Sequence, residues 1–138
     1  MAAGAVKGLE PAAETAPDHL VRSPGRDEEA EALAARSLLA TSVPQGWHAP
    51  RPWLKEAICI HRHEGAWDAI GYVHGRPTYG GGLQFMVATW QSVGGVESSV
   101  YGIAKASPRE QLFRAWLVYR RDGNSWREWG TARACGLR

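Results

Sequence analysis

Glu64 closes the stretch Ile58–Glu64 (ICIHRHE) and is followed at once by Gly65 and, two positions later, by Trp67. On a helix it shares a stripe with Ala57 and Ile60, at i, i+3 and i+7, so it faces a core or a cleft. It also falls in the last turn, where the helix carbonyls point at it. Burial and the negative helix end both disfavour the ionised carboxylate and raise its pKa, while a charged His61 or Arg62 would oppose them. A carboxyl kept protonated near neutral pH can donate its proton to a departing oxygen, which is the work of a general acid. The alternative is a helix-end glutamate that is exposed to water or paired with an arginine.

Other residues could hold a ligand beside such an acid. The ring faces of Trp67 and Tyr79 are apolar and suit the C–H faces of a pyranose. Gln84, in the run Tyr79-Gly80-Gly81-Gly82-Leu83-Gln84-Phe85, offers an amide donor and acceptor; its plain alternative is a loop cap. Trp90, Phe113, Trp116 and Trp126 read as core. His61, Arg62, His63 and Glu64 do not form a metal motif, because side chains two apart on a helix diverge and the HExxH order is absent. His74 has no defined partner. No metal and no cofactor is expected. Arg120, Arg121 and Arg127 read as cations suited to a helix end, and no motif supports nucleic-acid binding.

The elements that must position these residues occupy the later part of the chain. Of 138 residues, 44% are hydrophobic, and all seven tryptophans lie from Trp47 onward. Residues 1–50 carry four Lys/Arg against seven Asp/Glu, and residues 51–138 twelve against seven. The later part is thus basic and would be drawn to anionic polymers. Residues 1–46 are expected to be a disordered or linker segment, with a possible short helix at 27–40 begun by Asp27; residues 47–138 are expected to form the domain.

Within it, a helix is expected from about Pro52 to Glu64, stopped by Gly65. A loop or short hairpin follows over 69–82, then a second helix over 83–93. The third helix starts at the capping box Ser107-Pro108-Arg109-Glu110, presents Leu112, Phe113, Trp116, Leu117 and Tyr119 as its apolar face, and stops at Gly123. The fold class is α+β, mainly helical, with a short irregular or β element. Cys59 and Cys135 bracket the aromatic region. Paired, they would close a loop of 76 residues, a crosslink that contributes roughly 4–4.5 kcal/mol; unpaired, they are two buried thiols. The opening residues contain no apolar segment of a signal peptide, and no run reaches membrane-spanning length.

The ordered series Cys59, Glu64-Gly65, Trp67, Tyr79, Gly81-Gly82-Leu83-Gln84-Phe85, Thr89-Trp90, Gly94-Gly95, Pro108-Arg109-Glu110-Gln111 and Cys135 resembles the catalytic domain of the resuscitation-promoting factors and their transglycosylase-like, lysozyme-fold relatives. The resemblance covers about residues 53–136. It implies a small lysozyme-like domain that cuts peptidoglycan glycan strands between N-acetylmuramic acid and N-acetylglucosamine. It places the catalytic acid at Glu64 and substrate contacts at Gln84, Thr89, Tyr79 and Trp67. It also implies a disulfide, here open only to Cys59 and Cys135, and a secreted or cell-wall-associated monomer. The sequence departs from the family in having Glu64-Gly65-Ala66-Trp67 where Glu-Ser-Gly-Gly is usual, in a cysteine five residues before the glutamate rather than adjacent to it, and in a longer loop containing Arg76-Pro77.

A glycosidase usually pairs two carboxylates. Asp68 and Glu97 are the candidates for a second, but a turn at Gly65 breaks the helical register to Asp68, and Glu97 sits in a polar loop. A mechanism with one carboxylate is the expectation, with the substrate's acetamido group or C6 hydroxyl trapping the sugar cation, or a water hydrolysing it. Two other functions fit the same residues: a non-catalytic peptidoglycan-binding module, and a virion or cell-wall structural domain. Turnover separates them, since only an enzyme releases soluble fragments.

Overall fold

The computed structural model describes residues 41–138, and the expectations for residues 1–40 lie outside it. The order is α1 (Arg51–Glu64), β1 (Ile70–Val73), β2 (Arg76–Gly80), α2 (Val87–Ser92), α3 (Val100–Lys105), α4 (Pro108–Arg121) and a closing 3-10 helix (Gly130–Cys135). This is a mainly helical α+β domain with one two-stranded antiparallel sheet, as expected.

Helix α1 begins with Pro52 in its first turn, where a missing N–H costs nothing. Trp53, Ala57, Ile60 and Glu64 form its buried stripe. Gly65 ends it at φ 144, a region that favours glycine, with its N–H donating to His61 O at 3.0 Å. The chain then turns back as the hairpin β1–β2. His74 (φ 51) and Gly75 (φ 78) make the two-residue connection, both left-handed as the strand twist requires. Pro77 lies in β2, an edge strand that pairs with β1 on one side and on the other only through Gly80.

The second helix is shorter than expected. Leu83, Gln84 and Phe85 do not join it: Gly81 and Gln84 take φ 88 and φ 53, and Phe85 pairs its backbone with Gly80 in both directions at 2.9 Å. The triple glycine lets this turn press against its neighbours. A Cβ on Gly80 would overlap the Val100 carbonyl, and one on Gly82 would meet His61 and Trp67. Helix α3 lies outside the three expected helices; Ser99 caps it by accepting from Gly102 N–H at 3.1 Å.

Ser107 caps α4 through the Glu110 N–H at 3.0 Å. The buried face of α4 is rotated from the expected one: Gln111, Phe113, Arg114, Ala115 and Val118 lie inside, while Leu112, Trp116, Leu117 and Tyr119 are only partly buried. Apolar periodicity missed this because two polar residues are interior. Arg114 donates to Val93 O and the Thr41 backbone, and pairs with Glu110 Oε2 at 2.7 Å. Arg109 donates to Pro44 O at 2.6 Å and Trp47 O at 2.8 Å, so residues 41–47 are held on the domain surface.

The core is aromatic. Trp53 stacks on Trp126, and Phe85 meets Trp90 and Trp129 edge to face. Three buried indole N–H groups have acceptors: Trp90 on Glu97 Oε1 (2.6 Å), Trp126 on Glu56 Oε1 (2.7 Å) and Trp129 on Leu83 O (2.9 Å). A disulfide joins Cys59 of α1 to Cys135, with their Cα atoms 6.1 Å apart. It fixes the 3-10 helix across α1.

Candidate active site

The disulfide and the helix crossing bring the end of the chain to Glu64. Glu64 is 6% exposed. Thr131 Oγ1 donates to its Oε2 at 2.6 Å, while the buried Oε1 has no hydrogen-bond partner among the described residues. Burial pushes the carboxyl up from the ordinary 4.5 to about 7, opposed by the Thr131 hydrogen bond and the charge of His63. Glu64 is thus protonated in acid, half-protonated near neutrality, and has one oxygen uncommitted.

One turn earlier on α1, His61 donates from Nδ1 to Gly82 O at 2.9 Å and stacks on Trp67 with ring centroids 3.8 Å apart. Trp67 is half-buried and stands beside the acid's helix. Gln111 fixes this wall from α4. Its Oε1 accepts from Gly82 N–H at 2.7 Å, and its Nε2 donates to Trp67 O at 3.0 Å and Ala106 O at 2.9 Å.

The remaining expected contact residues separate into two groups. Tyr79 is half-buried on β2, opposite Gly71. Gln84 is 1% exposed, and its Nε2 donates to Gly81 O at 2.8 Å. Its amide N–H is thus engaged within its own turn. Thr89 is 0% exposed. The Thr89 hydroxyl is buried with no hydrogen-bond partner among the described residues.

Of the possible second carboxylates, Glu97 is engaged by the Trp90 indole and Asp68 is exposed beyond the Gly65 turn. Glu128, also raised by burial and then by Asp122, lies near the far end of α4. Arg121 and Arg127 lie 3.8 and 3.5 Å from Asp122, and Arg120 covers Trp116. A surface groove runs along the outer face of α1, lined by His48, Pro50, Leu54, Ile58 and Arg62, and does not include Glu64.

Sequence reasoning missed Thr131 and the role of Gln111. A signal for Thr131 existed: Glu64 follows Cys59 by five residues and Thr131 precedes Cys135 by four. A disulfide between two crossing helices therefore carries the hydroxyl toward the carboxyl. Gln111 belongs to the family-like series, but nothing in the sequence points to its partners, which are backbone groups.

A buried, protonatable glutamate at the end of the first helix of a small helical domain with one hairpin defines a lysozyme-like arrangement. Residues 58–132 match the transglycosylase-like domain family. The match spans more than half of the 138 residues, and the chain belongs to that family, whose lysozyme-like members point to action on peptidoglycan. No curated protein and no solved structure matches the chain. No helix among the described residues is long and apolar enough to cross a membrane.

Proposed function

We propose that this protein cleaves the glycan strands of peptidoglycan between N-acetylmuramic acid and N-acetylglucosamine, with Glu64 as general acid. The observation that carries the reading is the state of Glu64: buried, raised to about 7, anchored through Oε2 and uncommitted at Oε1. Membership of the transglycosylase-like family supplies the substrate class.

In this mechanism Oε1 carries the proton and gives it to the glycosidic oxygen as the bond to the muramyl C1 breaks. With Glu97 held by Trp90 and Asp68 on the exposed side of a turn, no second carboxylate is assigned to the developing cation. The muramyl C6 hydroxyl attacks C1, and its proton returns to the Glu64 carboxylate, which restores the acid and leaves a 1,6-anhydro end. Water in place of that hydroxyl gives a reducing end by the same proton cycle. Because Glu64 is only 6% exposed, the side chains over it must part for the glycosidic oxygen to reach Oε1. Trp67 and Tyr79, both half-buried, are the sugar-facing rings of this reading. The disulfide suits an oxidising site at or outside the cell surface, where the protein acts as a monomer.

The test is digestion of purified peptidoglycan by the full chain beside Glu64→Gln, with soluble fragments identified by mass spectrometry. Release by wild type alone supports the assignment, and the end groups distinguish anhydro from hydrolytic chemistry. Release by neither, with both co-sedimenting with the wall, leaves a binding module instead.

A further inference from the structure

The side chains of Cys59, His63 and Cys135 meet on the outer side of α1, with their candidate ligand atoms all within 4.8 Å of one another. Cys59 and His63 are four apart on α1 and so share a face; Cys135 reaches them from the 3-10 helix. His63 Nδ1 lies 3.8 Å from Cys135 Sγ and 2.9 Å from the Cys59 carbonyl, to which it donates. His63 is exposed and the cysteines are half-buried, so an ion has a path in from solvent. From these residues we infer that the reduced chain is a zinc-binding protein, with two thiolates and one imidazole as ligands and water in the fourth position.

The geometry suits that ion. Zinc–sulfur bonds of about 2.3 Å and zinc–nitrogen bonds of about 2.0 Å put neighbouring tetrahedral ligand atoms roughly 3.5–3.8 Å apart. The Cys135–His63 separation already has that length. Only the two sulfurs must move apart, from bonding distance to a tetrahedral edge, and the helices that carry them need shift little. His63 Nδ1 exchanges the Cys59 carbonyl for the ion.

The redox step balances with a thiol or dithiol reductant. Two electrons and two protons convert the disulfide to two thiols while the reductant becomes a disulfide. Zinc then binds the thiolates and releases those two protons. The ion takes over the work of the covalent link, since in both forms the 3-10 helix, and with it Thr131, is fastened across α1. The site therefore gives the chain two alternative fastenings at one place, selected by redox conditions. This inference does not depend on the glycosidase reading, because its readouts are metal binding and spectra.

The experiment uses the full chain, reduced with a phosphine under inert gas and stripped of metal. Zinc affinity is measured by competition with a chromophoric chelator, and cobalt(II) is used as the spectroscopic probe. The expected result is one ion per chain, a thiolate-to-cobalt charge-transfer band, at least about tenfold weaker binding by His63→Ala, and no binding by the oxidised chain. His63 is exposed, so its variant is checked for an unchanged fold in the oxidised form. Equal affinity of wild type and His63→Ala would reduce the site to two reactive thiols and overturn the inference. So would zinc binding no tighter after reduction than before.

Discussion

Thr131→Val removes a hydroxyl while keeping the shape of the side chain. In the folded chain that hydroxyl donates to Glu64 Oε2 at 2.6 Å and favours the carboxylate, against the burial that raises the carboxyl to about 7. A hydrogen bond to a charged group contributes roughly 1.5–3 kcal/mol, and about 1.4 kcal/mol corresponds to one pH unit. The hydroxyl can also meet the protonated carboxyl, so the lower end of that range is the net difference. The titration midpoint of Glu64 in Thr131→Val should therefore rise by roughly one pH unit. The assay is the carbon-13 resonance of the Glu64 carboxyl followed across the acid-to-alkaline range, in wild type and variant. It reports the protonation directly and needs no substrate. An unchanged midpoint, or a lower one, would refute the claim that Thr131 opposes burial at this carboxyl.

The same carboxyl couples stability to pH. Between 4.5 and about 7 the folded chain holds a proton that the unfolded chain has lost, so stability falls as pH rises through that window. Glu64→Gln abolishes this fall and should exceed wild type in urea unfolding above neutral pH, by up to roughly 3 kcal/mol, with no such gain in acid. Cys59→Ala opens the 76-residue loop and should cost roughly 4–4.5 kcal/mol in the same measurement; a loss below about 1 kcal/mol would mean that the crosslink constrains little. Gln111→Leu strips the Gly82 N–H and the Trp67 and Ala106 carbonyls of their buried partner. It should destabilise the chain by roughly 3–5 kcal/mol and lower its thermal midpoint.

The parts of this molecule that obey local rules could be read from its sequence. The stripe Ala57, Ile60, Glu64, the stop at Gly65, the His74-Gly75 turn and the Ser107 cap each depend on residues within one or two turns of one another. The parts that depend on distant backbone could not. Gln84 and Phe85 look like the start of a helix, yet Gly80 pairs with Phe85 and bends them into a turn. Gln111 and Arg114 look like surface residues of α4, yet both are buried because carbonyls from other elements take their protons. The family resemblance located Glu64, but Thr131 lies 67 positions away and enters only through the crossing that Cys59 and Cys135 fasten. Resemblance assigns Gln84 and Thr89 to the substrate cleft, and no local signal in the sequence shows that both side chains are buried.

The central claim is that the proton on Glu64 cleaves the glycan. The most direct test is the rate of soluble-fragment release from peptidoglycan as a function of pH, for wild type and Glu64→Gln. The account predicts a wild-type rate that falls about tenfold per pH unit above a midpoint near 7, in step with the Glu64 titration, and no release by the variant at any pH. A variant that releases fragments at the wild-type rate, or a wild-type profile that ignores the Glu64 midpoint, would contradict it.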